Sequence, residues 1–116
     1  MKDYLLLLRG GDARMTEFSE KETADHMEKW NAYMGGLAQS KTLSGGLPLQ
    51  QSGILLTSNG AKNEVVLSKD GEAVGGYLLI KAGSYDHAVE LSKDCPIFEY
   101  NGSMEIREAM EMPTSN

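Results

Sequence analysis

Cysteine is nearly absent from the sequence, which contains a single one, Cys95, among 116 residues. One thiol cannot form a disulfide within the chain, and it cannot supply the repeated cysteine spacing of a zinc site. Disulfide-rich scaffolds and zinc fingers are therefore excluded, and we expect neither a metal site nor a cofactor. Because Cys95 precedes Pro96 and has no activating positive charge on its own helical face, we interpret it as a packed structural thiol.

Clusters of positive charge are also missing. Eleven lysine and arginine residues face seventeen aspartate and glutamate residues, and the formal net charge is −6. Without a basic stripe to neutralise phosphates, the chain is not expected to bind nucleic acid or an anionic membrane. The acidic residues between Glu17 and Glu28 are interpreted as the solvated face of a helix. The lysines that stand singly are Lys41, Lys62, Lys69, Lys81 and Lys93.

Long apolar runs are absent. The run of leucines at Leu5–Leu8 is too short for a membrane span or for the core of a signal peptide, so we expect a cytoplasmic protein. The length fits one domain, which we place at residues 1–110, with a C-terminal tail at residues 111–116. Because a domain of this size buries only roughly two thirds of its unfolded surface, dimerisation would add stability.

The first part of the sequence predicts a strand and then a helix. Tyr4–Leu8 is the short apolar run typical of a central strand that is buried on both faces. Ser19 is placed to cap a helix, and Glu22 completes a capping box. The Gly35-Gly36 pair weakens the last turns, so the helix should end between there and Ser40. One apolar stripe at helical spacing comprises Met27, Trp30, Met34 and Leu37.

The middle of the sequence predicts an irregular stretch followed by a hairpin. Pro48 keeps Leu43–Leu49 from being a central strand, and we expect this stretch to be irregular. Ile54–Thr57 and Glu64–Ser68 are typical of two paired strands, because the Asn59-Gly60 turn signal lies between them.

The C-terminal part predicts a strand, a helix and a last strand. After a tight turn at Lys69–Glu72, the almost entirely apolar Gly76–Ala82 indicates a central strand. Ser84 is placed to cap a second helix, which Pro96 should stop. Ser103–Ala109 alternates between apolar and charged residues, as a half-exposed strand does.

This order of elements is the split βαβ pattern of ferredoxin-like folds, βαββαβ with an extra hairpin, in the α+β class. The helices then gather on one face of an antiparallel sheet, and the other face needs a cover. Since the sequence offers no further helix, we expect a second copy of the chain to provide that cover. Two such sheets packed face to face form a dimeric α+β barrel, so we predict a homodimer.

His26 is the residue best suited to proton transfer. It falls beside Trp30 and Tyr33 at the edge of the apolar stripe, where partial burial would let it titrate near neutrality. In a pocket it could serve as a general acid or base. The alternative is a packed histidine that bonds to a backbone carbonyl, and the sequence leaves both interpretations open.

Asp70 is the acid that would reach His26 across such a pocket. The alternative is ordinary turn chemistry, in which Asp70 bonds its own backbone and Gly71 takes a positive φ. The Gly75-Gly76 pair precedes a strand and lacks the Gly-Lys-Ser pattern of a phosphate loop, so it indicates close backbone packing or a bulge.

Six segments, by their order and spacing, resemble those of a known family. They are Met1–Leu8, His26–Trp30, Gly45–Leu47, Gly75–Ile80, the Cys95-Pro96 pair and Gly102–Arg107. The family is that of the YCII-related proteins, which include those often called DGPF-domain proteins, and the resemblance covers almost the whole chain. Members typically carry an Asp-Gly-Pro-Phe motif before the Gly-Gly-Tyr strand, of which only Asp70-Gly71 is present here.

The resemblance implies a ferredoxin-like dimeric barrel whose pocket holds a helix histidine and a nearby acid as an acid–base pair. It further implies that some relatives act on small ring lactones and that some are encoded beside, or fused to, sigma factors of the extracytoplasmic type. Three functions follow as alternatives. The first is binding of a small molecule in a pocket between the sheet and the first helix, which the degenerate turn motif favours. The second is weak acid–base catalysis on a lactone or carbonyl by His26 and Asp70, and the third is a protein-interaction module in transcriptional regulation. The residues expected to line the pocket are Trp30, Tyr33, Ser44, Gly75 and Gly76.

Overall fold

A computed structural model describes residues 1–10, 18–50, 52–60, 62–66 and 74–112 of the chain. These residues form six strands, two α-helices and one short 3₁₀ helix. The elements are β1 (Lys2–Arg9), α1 (Glu20–Gln39), β2 (Leu43–Pro48), β3 (Ser52–Leu56), β4 (Lys62–Val66), β5 (Val74–Ala82), α2 (Tyr85–Ser92), the 3₁₀ helix (Pro96–Tyr100) and β6 (Ser103–Glu108).

The strands form two sheets. One is a four-stranded sheet in the order β2-β5-β1-β6, and the other is the β3–β4 hairpin. β5 pairs antiparallel with both β1 and β2, so β1 and β2 run parallel with β5 between them. This is the split βαβ arrangement with a hairpin inserted before β5. The predicted α+β, ferredoxin-like fold is therefore confirmed, whereas the dimer stays a prediction.

The two faces of the four-stranded sheet differ in burial. Tyr4, Leu6 and Leu8 of β1 are 0, 0 and 7% exposed, and they join the core on the side of the helices. The alternate side chains of the central strands point to the opposite side, here called the back face, and are only half-buried. β1 was expected to be buried on both faces, and within one chain it is fully buried on one. The apolar residues of the back face are Leu5, Leu7, Tyr77 and Leu79.

The core lies between the sheet and the helices. Partly buried Trp30, Tyr33 and Met34 of α1 pack against it, as the predicted apolar stripe requires. Each aliphatic side chain buried there stabilises the fold by roughly 1.5–3 kcal/mol relative to an exposed position. The buried apolar residues are Tyr4, Leu6, Leu8, Leu37, Leu78, Ile80, Ala82, Ala88, Cys95 and Ile97.

Helix α1 begins and ends where its sequence signals predict. The Ser19 hydroxyl accepts a hydrogen bond from the Glu22 N–H at 3.1 Å, and the Glu22 carboxylate accepts one from the Ser19 N–H at 3.1 Å. This reciprocal pair confirms the capping box. The helix continues through Gly35-Gly36 to Gln39, and Lys41 beyond it takes the left-handed φ of 60° that commonly terminates helices.

Residues Leu43–Leu49 were predicted to be irregular, and that prediction is wrong. β2 pairs with β5 from Leu43 to Pro48, with a register shift between Leu43 and Gly45. The strand lies at the edge of the sheet, where a proline can be accommodated because one side of the backbone needs no ladder partner. Gly46 is required here, since a Cβ at this position would lie 2.8 Å from the Tyr77 carbonyl oxygen.

The end of the second helix also differs from its prediction. α2 ends at Ser92, before the proline, and Pro96 opens the 3₁₀ helix instead of merely stopping α2. The hairpin differs less from its prediction. β3 spans Ser52–Leu56, so it begins two residues before the predicted strand Ile54–Thr57. Gly60 takes the positive φ of 83° expected of the turn. The predicted turn at Lys69–Glu72 lies outside the described residues.

Candidate functional site

His26 lies in the interior of the protein. Its side chain is 0% exposed, although Asp25 and Glu28 close to it on α1 are charged and exposed. The helix turns this position toward the 3₁₀ helix, where the His26 ring meets the Tyr100 ring edge to face with centroids 4.9 Å apart. His26 therefore links α1 to the 3₁₀ helix that follows α2.

The Trp30 indole fixes one nitrogen of the His26 ring. Trp30, one helical turn further on, donates from Nε1 to His26 Nε2 at 3.1 Å. Because Nε2 accepts this bond, the neutral ring carries its proton on Nδ1. A general base that worked through Nε2 would first have to give up the bond to Trp30.

A carboxylate faces the other ring nitrogen. The Glu99 Oε2 atom, from the 3₁₀ helix, lies 3.7 Å from His26 Nδ1 and 2.8 Å from the Lys29 Nζ. The hydrogen bond from Lys29 is the main reason that the pKa of Glu99 lies below its usual value, while partial burial opposes the shift. Glu99 is therefore ionised at neutral pH and stands between a buried histidine and a surface ammonium.

Glu99 was missed by the sequence interpretation. The acid expected beside His26 was Asp70, which lies outside the described residues, whereas Glu99 is separated from His26 by most of the chain. The available signal was the Cys95-Pro96 pair, because proline favours the first turn of a helix and Glu99 falls in that turn. Nothing local to that signal indicates which side chain of α1 the turn will meet.

Tyr33 joins the two α-helices. Its hydroxyl donates to the Leu91 carbonyl oxygen at 2.8 Å, and its ring packs edge to face on Trp30. Burial is the main cause that raises the pKa of Tyr33 well above its ordinary value, so the hydroxyl stays neutral. Trp30 and Tyr33 thus cluster with His26 on α1.

The other predicted lining residues lie in the sheet. Ser44 is exposed at the register shift of β2. Gly75 accepts a hydrogen bond from the Leu49 N–H at 2.9 Å, and a Cβ on Gly76 would lie 3.2 Å from the Leu47 carbonyl oxygen. Gly76 therefore lets β2 approach β5 closely.

A groove of about 610 Å³ opens beside α1. It runs between the helix and residues 93–99, and Tyr33 is the predicted lining residue that borders it. Leu37 and Cys95, which are 6 and 3% exposed, form its deep part. The full lining is Lys29, Ala32, Tyr33, Gly36, Leu37, Lys93, Asp94, Cys95, Pro96 and Glu99.

Two ammonium groups stand at the rim of this groove. The side chains of Lys29 and Lys93 are 58 and 61% exposed, and each bonds a glutamate at 2.8 Å. These hydrogen bonds, to Glu99 and Glu90, are the main cause that raises the pKa of each lysine, so both stay charged. Because an ammonium has three donors, each lysine can bond a further acceptor.

Within the described ranges, no group of three or more His, Cys, Asp or Glu side chains is arranged to hold a metal ion. In the same part of the chain, no helix combines the length and the apolar composition needed to cross a membrane.

The chain matches the model of one known protein family. The model of the YCII-related domain matches residues 4–113, which is nearly the whole chain. The comparison with curated proteins finds no match. The match spans β1 to β6, so it includes the groove and the cluster around His26.

Proposed function

Because the chain belongs to the YCII-related family, we propose that it binds a small amphipathic carboxylate in the groove between α1 and residues 93–99. The observation that carries the proposal is the combination of an apolar interior with charged rims. Leu37 and Pro96 offer apolar contact. On the rim, Lys29 and Lys93 each retain ammonium donors beyond the bond to a glutamate, and an anionic group that bonds both would have to approach between the Asp94 and Glu99 carboxylates. Ligand sites in proteins commonly have this composition, mostly apolar with a few oriented polar groups.

The glycines of α1 allow a matched test of this site. A Cβ at Gly35 or Gly36 would meet nothing within 4 Å, so the helix tolerates larger residues at both positions. Only Gly36 borders the groove. A leucine at Gly36 should therefore fill the groove, and a leucine at Gly35 provides a control with the same change in helix propensity.

We expect phenylacetate to stabilise the wild type and the Gly35→Leu variant, but not the Gly36→Leu variant. At ten times the Kd, a ligand stabilises the native state by about 1.4 kcal/mol, which raises Tm by roughly 4–8 °C for a domain of this size. Thermal unfolding with phenylacetate, and with the neutral phenylacetamide as a control, measures this shift. Equal shifts with acid and amide, equal shifts in both variants, or no shift at all would contradict the proposal.

A second candidate is acid–base catalysis on a small lactone or carbonyl. The observation in its favour is the 3.7 Å separation between His26 Nδ1 and Glu99 Oε2, because Glu99 also borders the groove. In this scheme Glu99 exchanges protons with the substrate, and the buried His26 positions it. The predicted partner Asp70 remains the alternative acid.

If this candidate is right, the protein should open a small ring lactone such as γ-butyrolactone. Loss of a general acid or base typically lowers the rate 10²–10⁴-fold, so Glu99→Gln should lower kcat by about 100-fold or more. Asp70→Asn shows which of Glu99 and Asp70 is the catalytic acid, since only the variant of that residue should lose turnover. A wild type without turnover, or turnover that survives both substitutions, removes this candidate.

A homodimer through the back face is also proposed. Leu5, Leu7, Tyr77 and Leu79 are half-buried on a side of the sheet that neither α1 nor α2 covers. Arg9 and Arg107 both bond Glu105 on β6, at 3.2 Å each, so each guanidinium beside this apolar strip has a carboxylate partner and one positive charge is in excess. Burial of the strip against a second copy would therefore desolvate few uncompensated groups.

A further inference from the structure

The β3–β4 hairpin exposes large apolar side chains. Ile54, Leu55 and Leu56 are 74, 52 and 65% exposed, and all five residues of β3 are exposed. The hairpin forms a separate two-stranded sheet. Because an isolated hairpin is at best marginally stable in water, these side chains need a surface against which to pack.

Exposed apolar side chains also lie just before the hairpin in the chain. Leu47, near the end of β2, and Leu49, just after it, are 60 and 46% exposed. Leu47 pairs with Tyr77, so its side chain points to the back face. Leu47 therefore extends the apolar back face to the edge strand that precedes the hairpin in the chain.

This surface supplies about half of the area that one partner contributes to a standard dimer interface. The exposed parts of Leu47 and Leu49, and of Ile54 and Leu56 on one face of β3, amount to roughly 400 Å², against about 800 Å² per partner in a standard interface. The half-buried leucines of the back face supply much of the remainder. A single chain therefore offers both an apolar sheet face and an exposed apolar hairpin.

We propose that the β3–β4 hairpin is an arm that packs against a second copy of the chain at the edge of its back face. The inference rests on the proposed homodimer and adds its second contact. A two-fold axis places the same patch on both subunits, so each arm covers the partner while its own sheet is covered in return. The arm gains in this way the packing surface that a lone hairpin lacks.

Sedimentation velocity over a concentration series tests the arm. The wild type should be a dimer, and Ile54→Asp with Leu56→Asp, two substitutions on the same face of β3, should raise the dimer Kd by roughly 100-fold or more. Val89→Asp is the matched control, because Val89 is 43% exposed on α2, away from this surface, and should leave Kd unchanged. Circular dichroism confirms that each variant is folded.

A variant of the back face distinguishes the test of the arm from the test of the dimer itself. Leu79→Asp should dissociate the dimer whether or not the arm contributes. If Leu79→Asp dissociates the dimer and the hairpin variant leaves it intact, the proposal of the arm is overturned and the proposal of the dimer stands. A monomeric wild type overturns both. Hydrogen exchange adds a second readout: amides of Ser52–Leu56 should be protected in the dimer and lose protection on dilution, and fast exchange in the dimer would also overturn the arm.

Discussion

Replacement of Gly102 by alanine is expected to lower the free energy of unfolding by roughly 3 kcal/mol. A Cβ at this position would clash with the carbonyl oxygen of Ile97 and lie 3.0 Å from that of Arg9. Both atoms belong to the backbone, and the Gly102 N–H already donates to the Ile97 oxygen at 3.0 Å. Because neither backbone can yield without disturbing β1 or the 3₁₀ helix, the strain has no easy relief.

Gly35→Ala is the control for this prediction. A Cβ at Gly35 would meet nothing within 4 Å, and alanine is favoured over glycine in a helix, so this variant should be about 0.5–1 kcal/mol more stable than the wild type. Urea unfolding followed by circular dichroism measures both variants. If Gly102→Ala were as stable as the wild type, the close packing of the 3₁₀ helix against β1 would be wrong.

Replacement of His26 by alanine is expected to cost about 3 kcal/mol of stability. The ring is fully buried, so its removal leaves a cavity, and it also removes the acceptor of the Trp30 indole N–H. Trp30 is the only tryptophan of the chain, so its fluorescence should change as well. Urea unfolding followed by fluorescence gives both readings in one experiment.

His87 provides the comparison for His26. It is half-buried near the start of α2, and its Nδ1 accepts a hydrogen bond from the Gly83 N–H at 2.9 Å. Loss of one such partly exposed bond costs about 1 kcal/mol, so His87→Ala should be clearly milder than His26→Ala. Equal losses for the two histidines would show that His26 does not hold α1 against the 3₁₀ helix.

The features that were predictable from the sequence depend on neighbours along the chain. The capping box of Ser19 and Glu22, the apolar stripe of α1 and the Asn59-Gly60 turn each place their partners within a few residues. The order of strands and helices then leaves few arrangements for the sheet, which is why the fold could be predicted.

The features that were missed depend on contacts between distant segments. β2 contains two glycines and a proline, and it becomes a strand only because β5 supplies the ladder. Glu99 meets His26 and Lys29 through a 3₁₀ helix that no periodicity in the sequence indicates. The groove is likewise a product of the spacing between α1 and residues 93–99, and only Tyr33 of the predicted lining borders it.

Chemical-shift mapping with phenylacetate tests the proposed function most directly. Amide shifts in a ¹H–¹⁵N spectrum are expected to cluster at the groove, at Ala32, Gly36 and Cys95. Signals from Leu5 and Leu79 on the back face should stay unchanged. Shifts confined to the back face, or no saturable shifts at all, would contradict the proposal that the groove beside α1 is the ligand site.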